Sequence, residues 1–225
     1  MNLLISFGPS RAYIDDVRYI TNNSSGFMGY SLVLEALKRG FSVRAVVGGS
    51  NLKPPKQIDS WVEIEEHQQL KNQMFKNFDW SDVVIMAAAV CDFIPKARFK
   101  GKIPRASGGF NLKLESSQSI IGALAKHSIR KNKVLIGFSL ESKDFIAKAE
   151  QKRAANNLDA LFAFSLKCNP FGNKPCSTAI VLPGRVERLP FLSKTALAAY
   201  MIDAVEYALS LRSAKKGCQK QVARR

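Results

Sequence analysis

The sequence predicts an α/β fold in which a mostly parallel sheet lies between two layers of helices. Short apolar runs without polar alternation recur along the chain, and such runs are typical of strands buried on both faces. Segments with apolar residues at helical spacing separate these runs, and this alternation favours a parallel sheet. A Pro-Gly turn at 183–184 lies between two further apolar runs, which predicts an antiparallel hairpin late in the chain.

The first half of the chain supplies three strands and two helices. The apolar run 3–7 predicts a buried opening strand, and residues 28–37 follow with apolar side chains at i, i+4 spacing, which predicts a helix. Residues 42–47 are rich in β-branched and apolar side chains and end at turn-forming glycines, as a second strand would. A polar helix around 65–76 then precedes the continuous apolar strand 82–89.

The second half repeats the alternation and then closes with the hairpin. The predicted elements are a helix over 119–127, a strand over 133–138, a helix over 144–156, a strand over 159–164, hairpin strands over 179–182 and 186–189, and a last helix capped by Ser193. This order predicts a Rossmann-like three-layer fold with a mostly parallel sheet and a late antiparallel hairpin.

Size, charge and cysteine usage limit the classes of function. We assign residues 1–211 to one domain and residues 212–225 to a basic, disordered tail, because the tail has little apolar content. No apolar run is long enough for a membrane span, and the N-terminus lacks the features of a signal peptide. Four scattered cysteines suggest reduced thiols in a cytoplasm. The net charge of +16 suits a polyanionic small molecule, although charge alone does not distinguish a triphosphate from RNA.

A long polar loop, residues 8–29 (GPSRAYIDDVRYITNNSSGFMG), joins the first strand to the first helix. A structural connection here normally needs two to six residues, so the length favours a binding loop. The helix start offers unpaired N–H groups and a positive dipole end to a phosphate. Neither G-x-G-x-x-G nor a P-loop is present. The alternative is a Ser-capped helix with a glycine where it meets the sheet.

A second strand end, residues 87–93 (AAAVCDF), carries the other candidate groups. Ala88 and Ala89 would let a substrate lie against the backbone, Asp92 offers a carboxylate to a metal or a ribose, and Phe93 offers a stacking face. The insertion 93–110 is rich in Lys and Arg and is placed to act as a lid, because ligands in open α/β sheets bind beyond the carboxyl ends of strands. Each feature also has a structural interpretation, as strand packing, capping or a solvated surface.

The sequence resembles phosphopantothenoylcysteine synthetase, a coenzyme A biosynthesis enzyme that in bacteria is often fused to a flavin-dependent decarboxylase. The resemblance covers nearly the whole chain apart from the tail. The matching motifs are GPSR (8–11), IDDVRYITNNSSGFMG (14–29), AAAVCDF (87–93), KI (102–103), GFSLES (137–142), QKR (151–153), NNLD (156–159) and LPFLSK (189–194). Because the chain begins at the synthetase motifs, we expect a stand-alone synthetase.

The resemblance implies a reaction. Members of the family join 4′-phosphopantothenate to L-cysteine with CTP, or with ATP in eukaryotes, and with Mg²⁺. The substrate carboxylate is activated as an acyl-nucleotidylate, and the cysteine amine then attacks it. Such catalysis needs alignment, neutralisation of phosphate charge and stabilisation of an oxyanion. We therefore expect a phosphopantothenate–cysteine ligase, with CTP as the nucleotide, that forms a homodimer through its late hairpin.

The resemblance also assigns roles to individual residues. The implied catalytic residues are Asn22, Arg18 and Lys102. The implied substrate-binding residues are Ser24, Ser25, Gly26, Ala88 and Ala89. The implied nucleotide-binding residues are Gly8, Asp92, Phe93, Lys102, Ser119, Ile120, Ile121, Phe138 and Lys152, and Asp92 is also the implied metal ligand.

The chain departs from the family mainly in the nucleotide half. Phe27 replaces the lysine of SSGKMG, Pro104-Arg105 replaces Lys-Lys, residues 116–119 replace Lys-Asn-Pro-Asp, Asn156 replaces a lysine, and residues 163–165 replace Ala-Asn-Asp. Three alternatives remain: a Rossmann-like NAD(P)-dependent oxidoreductase, which lacks its glycine fingerprint here, a basic nucleic-acid-binding module, which charge alone favours, and a synthetase that has lost catalysis.

Overall fold

The computed structural model describes residues 1–105, 109–168 and 171–222, with side chains described up to residue 213. The helices are α1 Phe27–Lys38, α2 His67–Phe78, α3 Ile120–Ala125, α4 Phe145–Ala155 and α5 Lys194–Val222. The strands are β1 Asn2–Phe7, β2 Arg11–Tyr13, β3 Tyr19–Thr21, β4 Ser42–Val47, β5 Ser60–Glu63, β6 Val83–Met86, β7 Phe93–Pro95, β8 Leu114–Ser116, β9 Val134–Glu141, β10 Ala160–Ser165, β11 Thr178–Leu182 and β12 Arg185–Arg188. Among the described residues, Ser128–Asn132 and Leu166–Cys168 form 3-10 helices.

Eight of the described strands form one sheet in the order β12-β11-β10-β9-β6-β1-β4-β5. The six strands from β10 to β5 are parallel to one another. The last two, β11 and β12, are antiparallel and add a hairpin at one edge. The predicted fold class is therefore confirmed, including the late hairpin.

Each face of the sheet has its own apolar core. Side chains that alternate along the strands separate into two clusters, because successive residues of a strand point to opposite faces. On one face Leu3, Ile5 and Phe7 pack with residues of α1 and α5. On the other face Leu4 and Val84 pack with residues of α2, α3 and α4. Strands covered on both faces account for the uninterrupted apolar runs in the sequence.

The loop 8–29 contains more regular structure than the sequence predicts. β2 and β3 pair antiparallel as a short hairpin within it, and Tyr13 packs edge-on against Tyr19 with ring centroids 5.5 Å apart. Strands of three residues are too short for an alternating pattern of apolar side chains to distinguish them from a loop. The insertion after β6 likewise contains a two-stranded pairing, β7 with β8.

The last helix differs from the sequence prediction. α5 continues through Val222, so it crosses the boundary predicted at residue 211, and residues 212–222 are helical rather than disordered. The segment contains several Lys, Arg and Gln residues, which have good helix propensity. Arg212 is also tied to the domain, since it donates to the Asp159 carboxylate at 2.8 Å. The rest of the predicted tail, 223–225, lies outside the described residues. Even the 29-residue α5 lacks an apolar stretch that could cross a membrane, as do the other described helices.

Candidate active site

The carboxyl ends of β1 and β6 lie side by side at the centre of the parallel sheet. β1 pairs with β4 on one side and with β6 on the other side. The chain therefore moves to one side of β1 for β4 and later crosses to the other side for β6. Pairing extends beyond the strands, because the Ser10 N–H donates to the Ala89 carbonyl at 3.2 Å and the Ala89 N–H donates to the Gly8 carbonyl at 3.0 Å. In open α/β sheets a ligand crevice forms at such a switch point.

Two glycines allow the chain that leaves β1 to pass close to the end of β4. Gly8 has φ 79°, in the left-handed region that favours glycine. A Cβ on Gly48 would lie 2.3 Å from the carbonyl oxygen of Pro9, so only glycine fits there. Gly8, which the resemblance assigns to nucleotide binding, shapes the start of the loop and lies outside the lining of the pocket described next.

A pocket of about 650 Å³ opens at this crevice, within the size range of small-molecule sites. Its walls are the start of α1, the segment after β6, the start of α3 and the end of β9. Twelve of the predicted site residues line it: Asn22, Ser24, Ser25, Gly26, Ala88, Ala89, Asp92, Ser119, Ile120, Ile121, Phe138 and Lys152. Residues that are far apart in sequence thus meet in one place.

The start of α1 presents free N–H groups to this pocket. Gly26 caps the helix with φ 72°, and the Ser24 and Ser25 hydroxyls accept from the N–H groups of Gly26 and Phe27 at 3.3 and 3.4 Å. The N–H groups of Met28 and Gly29 find no acceptor among the described residues. The serines thus satisfy the N–H groups of Gly26 and Phe27, and the next two donors are available for an anion.

Asn22 lies at the boundary between the loop and the segment after β6. Its amide nitrogen donates to the Val90 carbonyl at 2.8 Å, which joins the two walls of the pocket. The amide group has a second N–H, so it can still donate to a bound molecule. The half-buried Ala88 and Ala89 lie on the facing wall and leave room for a ligand beside the backbone.

Arg18 and Lys102 belong to a second cluster, outside the pocket lining. Burial of the Asp15 carboxylate opposes its ionisation, but hydrogen bonds from the backbone N–H groups of Val17, Arg18 and Ile103 and from the Arg18 guanidinium outweigh this and hold the pKa of Asp15 well below its usual range. The Arg18 guanidinium also donates to the Ile103 carbonyl at 2.6 Å. Asp15 and Arg18 thus fasten the insertion to the loop, and the neighbouring Lys102 is exposed.

The described residues contain no group of three or more His, Cys, Asp or Glu side chains able to hold a metal ion by themselves. Asp92 nevertheless lines the pocket with an exposed carboxylate. Mg²⁺ is commonly bound by one or two carboxylates together with substrate phosphates. The donor set therefore fits a Mg²⁺ ion that a nucleotide would bring with it.

An aromatic surface forms the wall at β9. The rings of Phe138 and Phe164 stack with centroids 5.7 Å apart, and both residues line the pocket. Lys152 donates to the Phe138 carbonyl at 3.0 Å. Phe93, which the resemblance also assigns to nucleotide binding, is 58% exposed and lies outside the pocket lining. Of the two aromatic residues that the resemblance assigns to nucleotide binding, Phe138 therefore lines the pocket and Phe93 does not.

The pocket also contains residues that the sequence did not single out. Glu141, Phe171 and Lys194 line it. Lys194 ends the LPFLSK motif and follows Ser193, whose hydroxyl accepts from the Ala196 N–H at 3.4 Å. The sequence signal that could have indicated its position is the predicted start of the last helix, because ligands in such folds bind beyond the carboxyl ends of the strands.

Comparisons with known proteins identify the family. The family model described as the DNA/pantothenate metabolism flavoprotein C-terminal domain matches residues 1–208. The coenzyme A biosynthesis bifunctional protein CoaBC of Bacillus subtilis is 33% identical over 196 residues, which are 86% of this chain and 48% of that protein. The protein of the same name from Borreliella burgdorferi is 33% identical over 198 residues, 87% of this chain and 50% of that protein. The chain thus spans about half the length of these relatives.

Solved structures share the fold. The C-terminal domain of a CoaBC protein superposes with a TM-score of 0.78 at 28% identity and covers 93% of this chain and 95% of that one. A Cab2 mutant in complex with phosphopantothenate-cysteine superposes with a TM-score of 0.80 at 17% identity, which covers 96% of this chain and 88% of that one. The chain therefore belongs to the DNA/pantothenate metabolism flavoprotein C-terminal domain family, and the resemblance to phosphopantothenoylcysteine synthetase is confirmed.

Proposed function

We propose that this protein is a phosphopantothenate–cysteine ligase of coenzyme A biosynthesis. The observation that carries the proposal is the meeting of Asn22, Ala88 and Ala89 with the free N–H groups of α1 in one pocket. An amide donor, space beside the backbone and an anion site are the groups that activation of a carboxylate by a nucleotide requires. Family membership supports the same reaction.

The first step is transfer of a nucleotidyl group. The carboxylate oxygen of 4′-phosphopantothenate attacks the α-phosphorus of the nucleotide, and the bond to the β-phosphate breaks to release pyrophosphate. The start of α1 binds phosphate oxygens through the Met28 and Gly29 N–H groups. Asp92 would hold Mg²⁺ with the phosphates, and the ion would supply charge neutralisation. Phe138 packs against the nucleobase.

The second step is amide formation. The cysteine amine, after losing a proton to solvent, attacks the acyl carbon, and the nucleoside monophosphate leaves with the electrons of the C–O bond. The Asn22 amide stabilises the tetrahedral oxyanion through its second N–H, because Val90 takes only the first. Ala88 and Ala89 leave room for the reacting acyl group.

Arg18 acts on this site through other residues. Its guanidinium is engaged by Asp15 and by the Ile103 carbonyl, so it positions the insertion that carries Lys102. The exposed Lys102 ammonium is then free to approach the phosphates as this insertion closes over the pocket. In this assignment Lys102 contacts the nucleotide and Arg18 is a positioning residue.

CTP is our proposed nucleotide. The bacterial relatives and the retained Lys102 support CTP, whereas residues 116–119 differ from the family pattern in the segment near the base. The experiment offers 4′-phosphopantothenate, L-cysteine and Mg²⁺ with CTP, ATP, GTP or UTP in turn and detects phosphopantothenoylcysteine by mass spectrometry. Product should form fastest with CTP, and only when all three substrates are present. Absence of product with all four nucleotides would refute the ligase, and equal kcat/KM for CTP and ATP would refute the preference.

A further inference from the structure

Lys194 is a largely buried lysine that lines the candidate active site. It is the first residue of α5, its exposed fraction is 6%, and it belongs to the wall of the pocket. Within the described part of the chain, its ammonium group has neither a hydrogen-bond acceptor nor an ion-pair partner. The ammonium nitrogen itself keeps some solvent contact, but water hydrates it only in part, and an anion in the pocket would stabilise it.

Another buried lysine of this protein shows the usual arrangement. Lys133 has an exposed fraction of 9%, and its ammonium donates to the carbonyl oxygens of Asp79 and Ser81, both at 2.6 Å. For Lys194, the described part of the chain offers no such carbonyl oxygens. Burial lowers the pKa of Lys194, and a nearby Cys176 thiol opposes this only in its ionised form. Among the described residues, therefore, no partner stabilises the ammonium.

The other charged groups of the pocket lining do not supply it. Glu141 is held by Lys148 at 3.0 Å, and Asp92 is exposed on the segment after β6. Lys152 donates to a backbone carbonyl. Phe27, at the start of α1, also lines the pocket and brings no charge to it. The uncompensated ammonium and the free N–H groups of α1 line the same pocket.

We propose that Lys194 binds a phosphate group of a substrate in this pocket, together with the start of α1; the proposal rests on the proposed function. A phosphate offers the negative charge and the acceptor oxygens that a buried ammonium lacks. The phosphate comes either from the nucleotide or from 4′-phosphopantothenate. Both have the chemistry that the ammonium requires, and direct binding measurements separate them.

The experiment measures binding without turnover, by isothermal titration calorimetry in Mg²⁺ buffer. The probes are inorganic pyrophosphate, CTP and 4′-phosphopantothenate, and the variants are Lys194→Met and Lys194→Arg. The matched control is Lys38→Met, which removes a charge from a side chain that is 79% exposed and outside the pocket. Loss of one charge-assisted contact should weaken binding about 10- to 100-fold in Lys194→Met, with partial recovery in Lys194→Arg.

The pattern of losses identifies the phosphate. Weaker binding of pyrophosphate and CTP alone assigns Lys194 to the nucleotide, and weaker binding of 4′-phosphopantothenate alone assigns it to that substrate. Unchanged binding of all three probes, or losses equal to those in Lys38→Met, would overturn the proposal. If Lys194→Met fails to fold, Lys194→Gln decides by the same criteria. Failure of the ligase reaction in the wild-type protein would leave these binding constants measurable, so the two failures are distinguishable.

The same variants report on folding. Because the Lys194 side chain is largely buried and its ammonium has no partner among the described residues, replacing it by Met should leave the melting temperature unchanged or raise it while phosphate binding weakens. A merely structural lysine would show the opposite pattern, with a lower melting temperature and unchanged binding, and this pattern would refute the proposed role.

Discussion

Gly29→Ala tests how closely α1 must approach the sheet for the pocket to form. A Cβ at this position would lie 2.2 Å from the Cβ of Phe7 and 2.8 Å from its Cγ. Phe7 is fully buried, and its Cβ is fixed by strand β1, so it cannot yield as a flexible side-chain end could. Overpacking costs about 1–3 kcal/mol, and this contact lies at the upper end. Alanine regains about 1 kcal/mol of helix propensity, which leaves a net loss of about 2 kcal/mol.

This loss corresponds to a fall in melting temperature of about 4–8 °C for a chain of this size. Thermal unfolding followed by circular dichroism measures it, with Gly109→Ala as the control, because a Cβ on Gly109 has no heavy atom within 4 Å. The displaced helix start should also weaken pyrophosphate binding. The error of such a scan is about 1 °C. If the melting temperatures of Gly29→Ala and Gly109→Ala agree within this error, the argument that α1 approaches β1 too closely for a side chain at position 29 is refuted.

Three further predictions concern the reaction and the assembly. Asn22→Asp should fold normally, release pyrophosphate once and then accumulate acyl-nucleotide, with amide formation about 10²–10³ times slower; wild-type turnover in quenched samples would contradict the role of the amide. Asp92→Asn should raise the Mg²⁺ concentration needed for half-maximal rate about tenfold, as loss of a ligand worth about 1.4 kcal/mol would; an unchanged Mg²⁺ titration would exclude Asp92 as a ligand. The edge strand β12, on which Val186 is 45% exposed, should pair two copies into a homodimer; sedimentation at monomer mass across micromolar concentrations would disprove it.

The sequence predicts the fold well because its strongest signals are the buried strands. Residues 42–47 carry only side chains compatible with a strand, and the structure assigns Ser42–Val47 to one. The short strand Ser60–Glu63 escapes prediction because its pattern is half-buried and follows a proline-rich turn. Likewise, the chain through 212–222 has the composition of a disordered tail and also the propensity of a helix, and composition alone does not decide between them.

The site is predicted only where it depends on local sequence. Asn22 and the serines of the loop lie next to a helix start that periodicity reveals, so their place at the pocket follows from the pattern. The hydrogen bonds that join Asp15 and Arg18 to the backbone of Ile103 require the insertion to fold back over the loop, a contact between segments more than eighty residues apart that no local pattern encodes. The position of Lys194 in the pocket wall depends on the packing of α5 beside α1, and this packing is visible only in the tertiary structure.

The most direct test of the central claim follows the oxygen atoms of the substrate carboxylate. With 4′-phosphopantothenate labelled with ¹⁸O in its carboxylate, the reaction with CTP, Mg²⁺ and L-cysteine should transfer one ¹⁸O atom to the nucleoside monophosphate. Pyrophosphate should remain unlabelled, because the carboxylate oxygen bonds to the α-phosphorus. Mass spectrometry of the separated products decides the outcome. Label in orthophosphate, or amide formation that leaves the monophosphate unlabelled, would contradict activation through an acyl-nucleotidylate.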